Sequence, residues 1–340
     1  MRLSVTLSII YLISTVTSLN AGVLIVNNSS AAPGQFASLQ SAIGIASPGD
    51  TIYIAGTDIT YGAISLNKQL TLIGPGFDLT SGAPSSVAQI GVLGLTAVAA
   101  NGSRFIGLRI FQIISTDVGI SLFTNLEVLR CQIDDCLYLS NDDWNNCLVD
   151  GCLFTSGGPN VTGNNSAANL TTSTIRSNIF AGTLFYVVNN TIKNNIFSGN
   201  TNGNGSIISG GTTNTFHNNI CIGRNCLSVD IISNITSNIS FSCASPNFNG
   251  TGNFPSTDPL FVSYAPGPYS WNHNFNLQVG SPAIGTGSGS TNIGLYGGEG
   301  KYRRDHEPDI PVLRSLTLPG TNVFPVNSNI SIQINSVIHE

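Results

Sequence analysis

A short motif of isoleucine and asparagine recurs along the chain, and it restricts the fold more than any other feature. Residues 189–197 read NNTIKNNIF. Reduced to two apolar residues four positions apart, the motif occurs as IGLRI (Ile106, Ile110), LRCQI (Leu129, Ile133), VDGCL (Val149, Leu153) and IRSNI (Ile175, Ile179). It continues as IKNNI (Ile192, Ile196), FHNNI (Phe216, Ile220) and ITSNI (Ile235, Ile239), with starts separated by 23, 20, 26, 17, 24 and 19 residues. One such match carries little; seven in succession at intervals near 20 residues define a repeat.

The repeat is built from Ile, Val, Thr and Phe punctuated by Gly, Asn and Ser, which is strand chemistry. Its variable interval excludes a helical array of fixed unit length. Short strands returning every ~20 residues predict a parallel coil stacked on itself, each coil adding about 4.8 Å, with loops of unequal length leaving one corner. The residue before the second apolar position is Arg109, Gln132, Cys152, Asn178, Asn195, Asn219 and Asn238, so the last four predict an asparagine column. Asn tolerates tight corner backbone best after Gly, and stacked amides can hydrogen-bond along a column.

Composition agrees. Only 9% of the 340 residues are charged, against a usual ~25%, while 41% are apolar, too many for a disordered chain. A net charge of −5 lacks the basic footprint that nucleic acid requires. The opening MRLSVTLSIIYLISTVTSLNAG has one Arg, an apolar run and small residues, the pattern of a secretory signal peptide over residues 1–21, cleaved after Ser18 or Ala21. No later segment is long and apolar enough to span a bilayer, which predicts an exported protein, secreted or held at the cell surface. Asn-x-Ser/Thr triplets, as at Asn160, Asn169, Asn204 and Asn249, are expected by chance in so Asn-rich a chain.

The segment FASLQSAIGIASPGDTIYIAGTDITYGAISLNKQLTLIGPGF places Phe36, Leu39, Ala42, Ile43 and Ala46 at helical spacing, then a Ser-Pro-Gly-Asp break and strands. It resembles the opening of secreted right-handed parallel β-helix proteins of the pectate-lyase-like superfamily. A second stretch, DPLF (Asp258 to Phe261) followed by NFNLQVGSPAIGTGS and NIGLYGG, is similar to the closing coil of many such proteins. The resemblance implies an all-β right-handed solenoid over residues 22–298, an N-terminal capping helix and an exported role. That superfamily holds lyases, hydrolases, epimerases and adhesins, so the fold does not assign an activity. Residues 299–340 change composition and predict a connector and a short β-rich tail, with strand alternation in NISIQINSVI.

Polysaccharide lysis needs a base beside acids that bind Ca²⁺, and hydrolysis needs paired carboxylates. DCLYLSNDDWNNCLVD holds the one acidic cluster of the coils. Asp142, Asp143 and Arg130 are the candidate catalytic groups; Asp134, Asp135 and Asp150 are the candidate Ca²⁺ ligands; Trp144 is a candidate sugar platform. The Gly-His-Gly and Arg-x-Lys motifs of polygalacturonase hydrolases are absent. A polar stripe is expected one residue after the first apolar position, at Arg130, Asp150, Arg176, Lys193 and His217, and could grip an acidic glycan. In YAPGPYSWNHNF, Tyr264, Tyr269 and Trp271 suit stacking on sugar rings. His217 and His273 stand alone, with no transition-metal spacing.

Seven cysteines is an odd count. Cys131 and Cys152 lie 21 residues apart, about one coil, and Cys136 and Cys147 flank the acidic loop, so both pairs are candidate disulfides, with buried free thiols the alternative. Three functions follow as expectations: a non-catalytic exported adhesin or binder of polysaccharide or cell-surface glycan, a lyase or hydrolase of an acidic glycan, and a self-associating fibre subunit. Arg130, Asp142, Asp143 and Asp150 gathered round one groove would favour the enzyme; their scattering favours the binder.

Overall fold

A computed structural model describes residues 21–30, 34–77, 86–116, 121–139, 142–155, 169–198, 207–209, 212–223, 232–243, 248, 250–265, 269–299, 302–304, 306, 312–317 and 333–337. The expected leader, but for Ala21, and the triplets at Asn160, Asn204 and Asn249 lie outside the described residues.

The chain is a parallel β-solenoid. One ten-stranded sheet runs from Val23–Val26 through Thr51–Ile54, Thr71–Ile73, Arg104–Ile106 and Glu127–Leu129 to Leu148–Asp150, Thr174–Arg176, Thr191–Lys193, Asn214–His217 and Ile232–Thr236, every neighbour parallel. A second parallel sheet follows one corner later in each coil, from Ile64–Leu66 to Ile239–Phe241. A third joins Leu122–Thr124, Asp143–Asn145, Leu170–Thr171 and Val187–Val188. Strand parity sends alternate side chains inward. In the first sheet the inward column is Ile52, Leu72, Phe105, Val128, Val149, Ile175, Ile192 and Phe216, none more than 1% exposed. In the second, Phe154, Phe180 and Phe197 stack along the axis with centroids 4.9 and 5.1 Å apart.

This register corrects the reading of the first two repeats by one residue. Val128, not Leu129, pairs with Val149, Phe105, not Ile106, pairs with Val128, and Gln132 pairs with Leu153 rather than standing beside Cys152. Both members of Phe105-Ile106 and of Val128-Leu129 are apolar, so the repeat fits two frames there, and only the pairing selects one.

The corner carries two asparagine roles on adjacent residues. Left-handed backbone falls on Arg130 (φ 51°), Ser177 (54°), Asn194 (57°), Asn218 (57°) and Ser237 (56°). The next residue forms the buried column Cys131, Cys152, Asn178, Asn195, Asn219 and Asn238. Each Asn Oδ1 accepts the backbone N–H one coil earlier: Cys152 to Asn178 at 2.8 Å, Asn178 to Asn195 at 2.9 Å, Asn195 to Asn219 at 2.9 Å and Asn219 to Asn238 at 2.8 Å. Each Nδ2 donates to a carbonyl of the preceding coil, Val149, Ile175, Ile192 and Phe216 in turn. A second ladder, at the corner between the third and first sheets, runs through Cys147, Ser173, Asn190 and Asn214. The ladders satisfy corner amides that no strand can pair.

At the N-terminal end, helix α1 (Leu39–Ile45) starts on Ser38, whose side chain accepts the Ser41 N–H at 3.2 Å. Leu39, Ala42 and Ile43 join the solenoid core. Asp50 of the Ser-Pro-Gly-Asp turn accepts N–H groups from Gly22 and Ser47 at 2.6 and 2.8 Å, tying the first strand to the turn.

The stretch compared with a closing coil is placed differently. After bridges from Thr251 and Phe254 to Thr236 and Ile239, the chain runs along the outside of the second sheet. Phe261, Phe275, Ala283, Ile293, Leu295 and Tyr302 cover the outward column Leu153, Ile179, Ile196, Ile220 and Ile239. Those outward residues are apolar and need covering, whereas a stacked coil would have left them in water. His306 is fully buried at the end of this flank, stacked on Phe77 at 3.9 Å. Its Nδ1 is 3.2 Å from the Gly151 carbonyl, which can only accept, so Nδ1 donates there, and its Nε2 is 2.9 Å from the Tyr302 hydroxyl oxygen. In the tail, Val312–Thr317 pairs antiparallel with Gln333–Val337. No described helix is long and apolar enough to cross a membrane.

Candidate binding face

The outward side chains of the first sheet form a polar face. Asp150, Arg176, Lys193 and His217 are consecutive partners in register. Arg176 grips Asp150 through Nε at 2.9 Å and a terminal guanidinium nitrogen at 2.8 Å. From the flank, Glu299 reaches Lys193 Nζ at 3.4 Å and Arg176 at 3.6 Å. Burial pushes the Asp150 carboxyl above its ordinary value, opposed by the charges of Arg176, Arg130 and Lys193. Burial, with help from Lys193, lowers the His217 imidazole.

Beside this row lies a groove of about 350 Å³, lined by Asn125, Glu127, Asn146, Leu148, Thr174 and Arg176 and by Cys147 beneath. Asn125 and Asn146 occupy left-handed corners (φ 58° and 54°), which turns their amides outward, where Asn146 Nδ2 donates to Asn125 Oδ1 at 2.7 Å. Glu127 is held by Arg104 at 2.6 Å. The Asn125 and Asn146 amides thus adjoin the Arg176 guanidinium and the Glu127 carboxylate, with the Lys193 ammonium one coil further along. Such a surface suits a hydroxyl-rich chain bearing anionic groups.

The candidates read from the sequence separate. Arg130 is not in the stripe: it occupies the corner position one residue beyond the register of Asp150. Asp142 is 1% exposed, and its Oδ1 accepts the Ser121 N–H at 2.8 Å. Asp143 Oδ1 accepts the Asn169 N–H at 2.7 Å. These two carboxylates start the strand Asp143–Asn145 of the third sheet, while Asp150 ends the strand Leu148–Asp150 of the first. A corner and two strands separate them, so both act as loop and strand ties. Trp144 is fully buried, because strand parity points it inward between Asp143 and Asn145; it is core, not a sugar platform.

The proposed Ca²⁺ ligands are likewise dispersed. Asp134 pairs with Arg109 at 2.8 Å and also accepts from Gln132. Asp135 is beside Cys136, and Asp150 is on the first sheet. Among the described residues no three His, Cys, Asp or Glu side chains converge as a metal site. Tyr264, Tyr269 and Trp271 pack within the flank: Tyr264 against Phe261 and Phe275, Tyr269 edge-on to Trp271 at 5.4 Å, and Trp271 against Phe77 at 6.2 Å. The disulfide expectation is corrected as well: Cys131, Cys136, Cys147 and Cys152 are buried free thiols. Cys131 and Cys152 aim at backbone carbonyls, Phe105 at 3.4 Å and Val128 at 3.2 Å, as the asparagines of the same column do.

The polar row was legible from Asp150 onward. Glu299 and the groove were not, since Glu299 meets Lys193 across 106 residues of chain.

Comparison with solved structures finds a likeness to the crystal structure of pectate lyase Pel9A, at 13% identity and a TM-score of 0.29, covering 83% of this chain and 98% of that one. No protein-family model and no curated protein matches the chain. The solenoid itself is established by the strand register and not by this likeness.

Proposed function

We propose that the chain is an exported, non-catalytic right-handed β-helix, capped by α1, whose first sheet binds an acidic polysaccharide outside the cell. One observation carries the reading: Arg176 lines an amide-bearing groove, and Lys193 stands beside it in the next coil. Coils repeat at about 4.8 Å, close to the rise of one sugar unit, so a chain lying along the axis meets successive rungs. The separation of Arg130 and Asp150 from Asp142 and Asp143, and the structural hydrogen bonds those last two make, favour binding over lysis or hydrolysis. In this reading residues 22–298 form the binding domain, its coils covered on the second sheet by their own C-terminal flank, and residues 299–340 supply a connector and attachment tail.

The test is retention of the mature protein on immobilised polygalacturonate, with neutral glucan as control, with and without Ca²⁺. Reducing ends and unsaturated uronates are followed in parallel. Salt-sensitive retention, no new ends, and loss of retention in the Arg176→Ala/Lys193→Ala protein are expected. New ends that vanish in Asp142→Ala or Asp143→Ala would replace this reading with an enzyme.

A further inference from the structure

We infer that Glu299 is a built-in competitor: its carboxylate occupies the place on Arg176 and Lys193 that a ligand's anionic group takes. The inference rests on the binding face proposed above and concerns how that face is controlled.

Three observations support it. First, the two cations are held and only partly open, with side chains 21% and 20% exposed, whereas Glu299 is 81% exposed. Asp150 already takes one edge of the Arg176 guanidinium at 2.8 Å. What remains toward solvent is a pair of N–H donors from neighbouring coils, and Glu299 meets both with one oxygen, Oε2. Second, its distances of 3.4 and 3.6 Å exceed the roughly 2.7–2.9 Å of a settled charge-assisted hydrogen bond. An exposed, loosely held pair contributes little to folding and is easily displaced.

Third, the backbone that presents Glu299 is fixed. Asn194 Nδ2 donates to the carbonyls of Asn292 and Gly294 at 3.2 and 3.0 Å. A Cβ on Gly298 would lie 2.9 Å from Asn194 Oδ1, so only glycine lets the flank approach there. A fixed stretch of backbone therefore delivers an exposed carboxylate to a cation pair. A ligand with one weak anion exchanges one carboxylate for another and gains little. A run of anions that also engages the groove gains its remaining contacts and displaces Glu299. The device lowers the affinity of every ligand that needs the cation pair by one common factor, so that only a chain with further contacts in the groove still binds tightly.

The experiment compares dissociation constants for polygalacturonate among the wild-type chain, Glu299→Gln and Asp258→Asn. Asp258→Asn changes the net charge equally at an exposed flank position away from the row. Glu299→Gln is expected to bind about two- to fivefold more tightly, by the same factor for galacturonate monomer and for the polymer, and Asp258→Asn to match wild type. Equal affinity of wild type and Glu299→Gln, or an equal gain in Asp258→Asn, overturns the competitor while leaving the binding face intact. No retention of any of the three proteins overturns the binding face, and the competitor with it.

Discussion

Asn195 Oδ1 accepts two hydrogen bonds from Asn178, one from its backbone N–H at 2.9 Å and one from its Nδ2 at 3.0 Å. Both residues are fully buried. The side chain of one coil thus satisfies the corner of the coil before it, and Asn195 Nδ2 completes the link by donating to the Ile175 carbonyl at 2.9 Å. Asn195→Ala strands those groups in the core with no water to replace the partner. At ~1–3 kcal/mol for each unsatisfied buried group, the loss should be about 3 kcal/mol or more. Urea denaturation checks it; a midpoint within error of wild type would mean the ladder contributes nothing.

The same column makes a prediction at its N-terminal end, where sulfur replaces the amide. Cys152 Sγ accepts the Cys131 N–H at 3.4 Å and lies 3.2 Å from the Val128 carbonyl, the two contacts an Asn makes one coil later. Cys152→Asn should extend the ladder and leave stability unchanged or raise it by about 1 kcal/mol, whereas Cys152→Val should lower it. The thiols should also be inert. Burial pushes Cys131 and Cys147 up to about 12 and Cys152 well above its ordinary value. A thiol reagent at neutral pH should therefore label Cys131, Cys147 and Cys152 only after unfolding; rapid native labelling, or a Cys131–Cys152 bond found by peptide mapping of the non-reduced protein, would contradict the free-thiol column.

How far the sequence carried these conclusions differs residue by residue. The asparagine column was readable because Asn178, Asn195, Asn219 and Asn238 repeat one residue type at one place in the motif. Its two jobs were merged into one, since the strained corner and the ladder fall on adjacent residues, as at Asn194 and Asn195. The second ladder leaves no such mark in the sequence, because Cys147, Ser173, Asn190 and Asn214 share no single residue type. The acidic neighbours of Trp144 suggest a binding site, but the alternation Asp143-Trp144-Asn145 is that of a strand with its middle residue inside. The covering of the second sheet's outer column was foreshadowed by apolar residues at both ends of pairs such as Ile196-Phe197, which an open strand would not carry.

Trp144 yields a separate prediction. Its indole Nε1 is buried without a hydrogen-bond partner. Trp144→Phe removes that orphaned donor but leaves a small void, and the two effects oppose each other, so the net change should stay within about 1.5 kcal/mol. Trp144→Ala creates a large cavity without compensation and should cost about 3–5 kcal/mol. Thermal melts of the two proteins decide it. Neither substitution that folds should alter polysaccharide retention, because the ring faces the core; a selective loss of retention in folded Trp144→Phe would restore a binding role.

His217 sets a pH dependence whose sign follows from its surroundings. Burial and then the Lys193 charge hold its imidazole below the ordinary value of 6.5. Between that lowered value and about 6.5 the unfolded chain binds more protons than the folded one, so stability falls as pH drops through this window and is fully present above it. Burial lowers His273 in the same direction. Asp150 acts oppositely and lower down: with its carboxyl raised above 3.8, the folded state binds the extra proton, so its contribution grows as pH falls through that window. His217→Gln should therefore flatten the decline in Tm between about pH 7.5 and 5.5 without abolishing it, since His273 remains. Parallel Tm curves for wild type and His217→Gln across that range would show that the row does not hold His217 neutral, and would remove it from the electrostatics of the binding face.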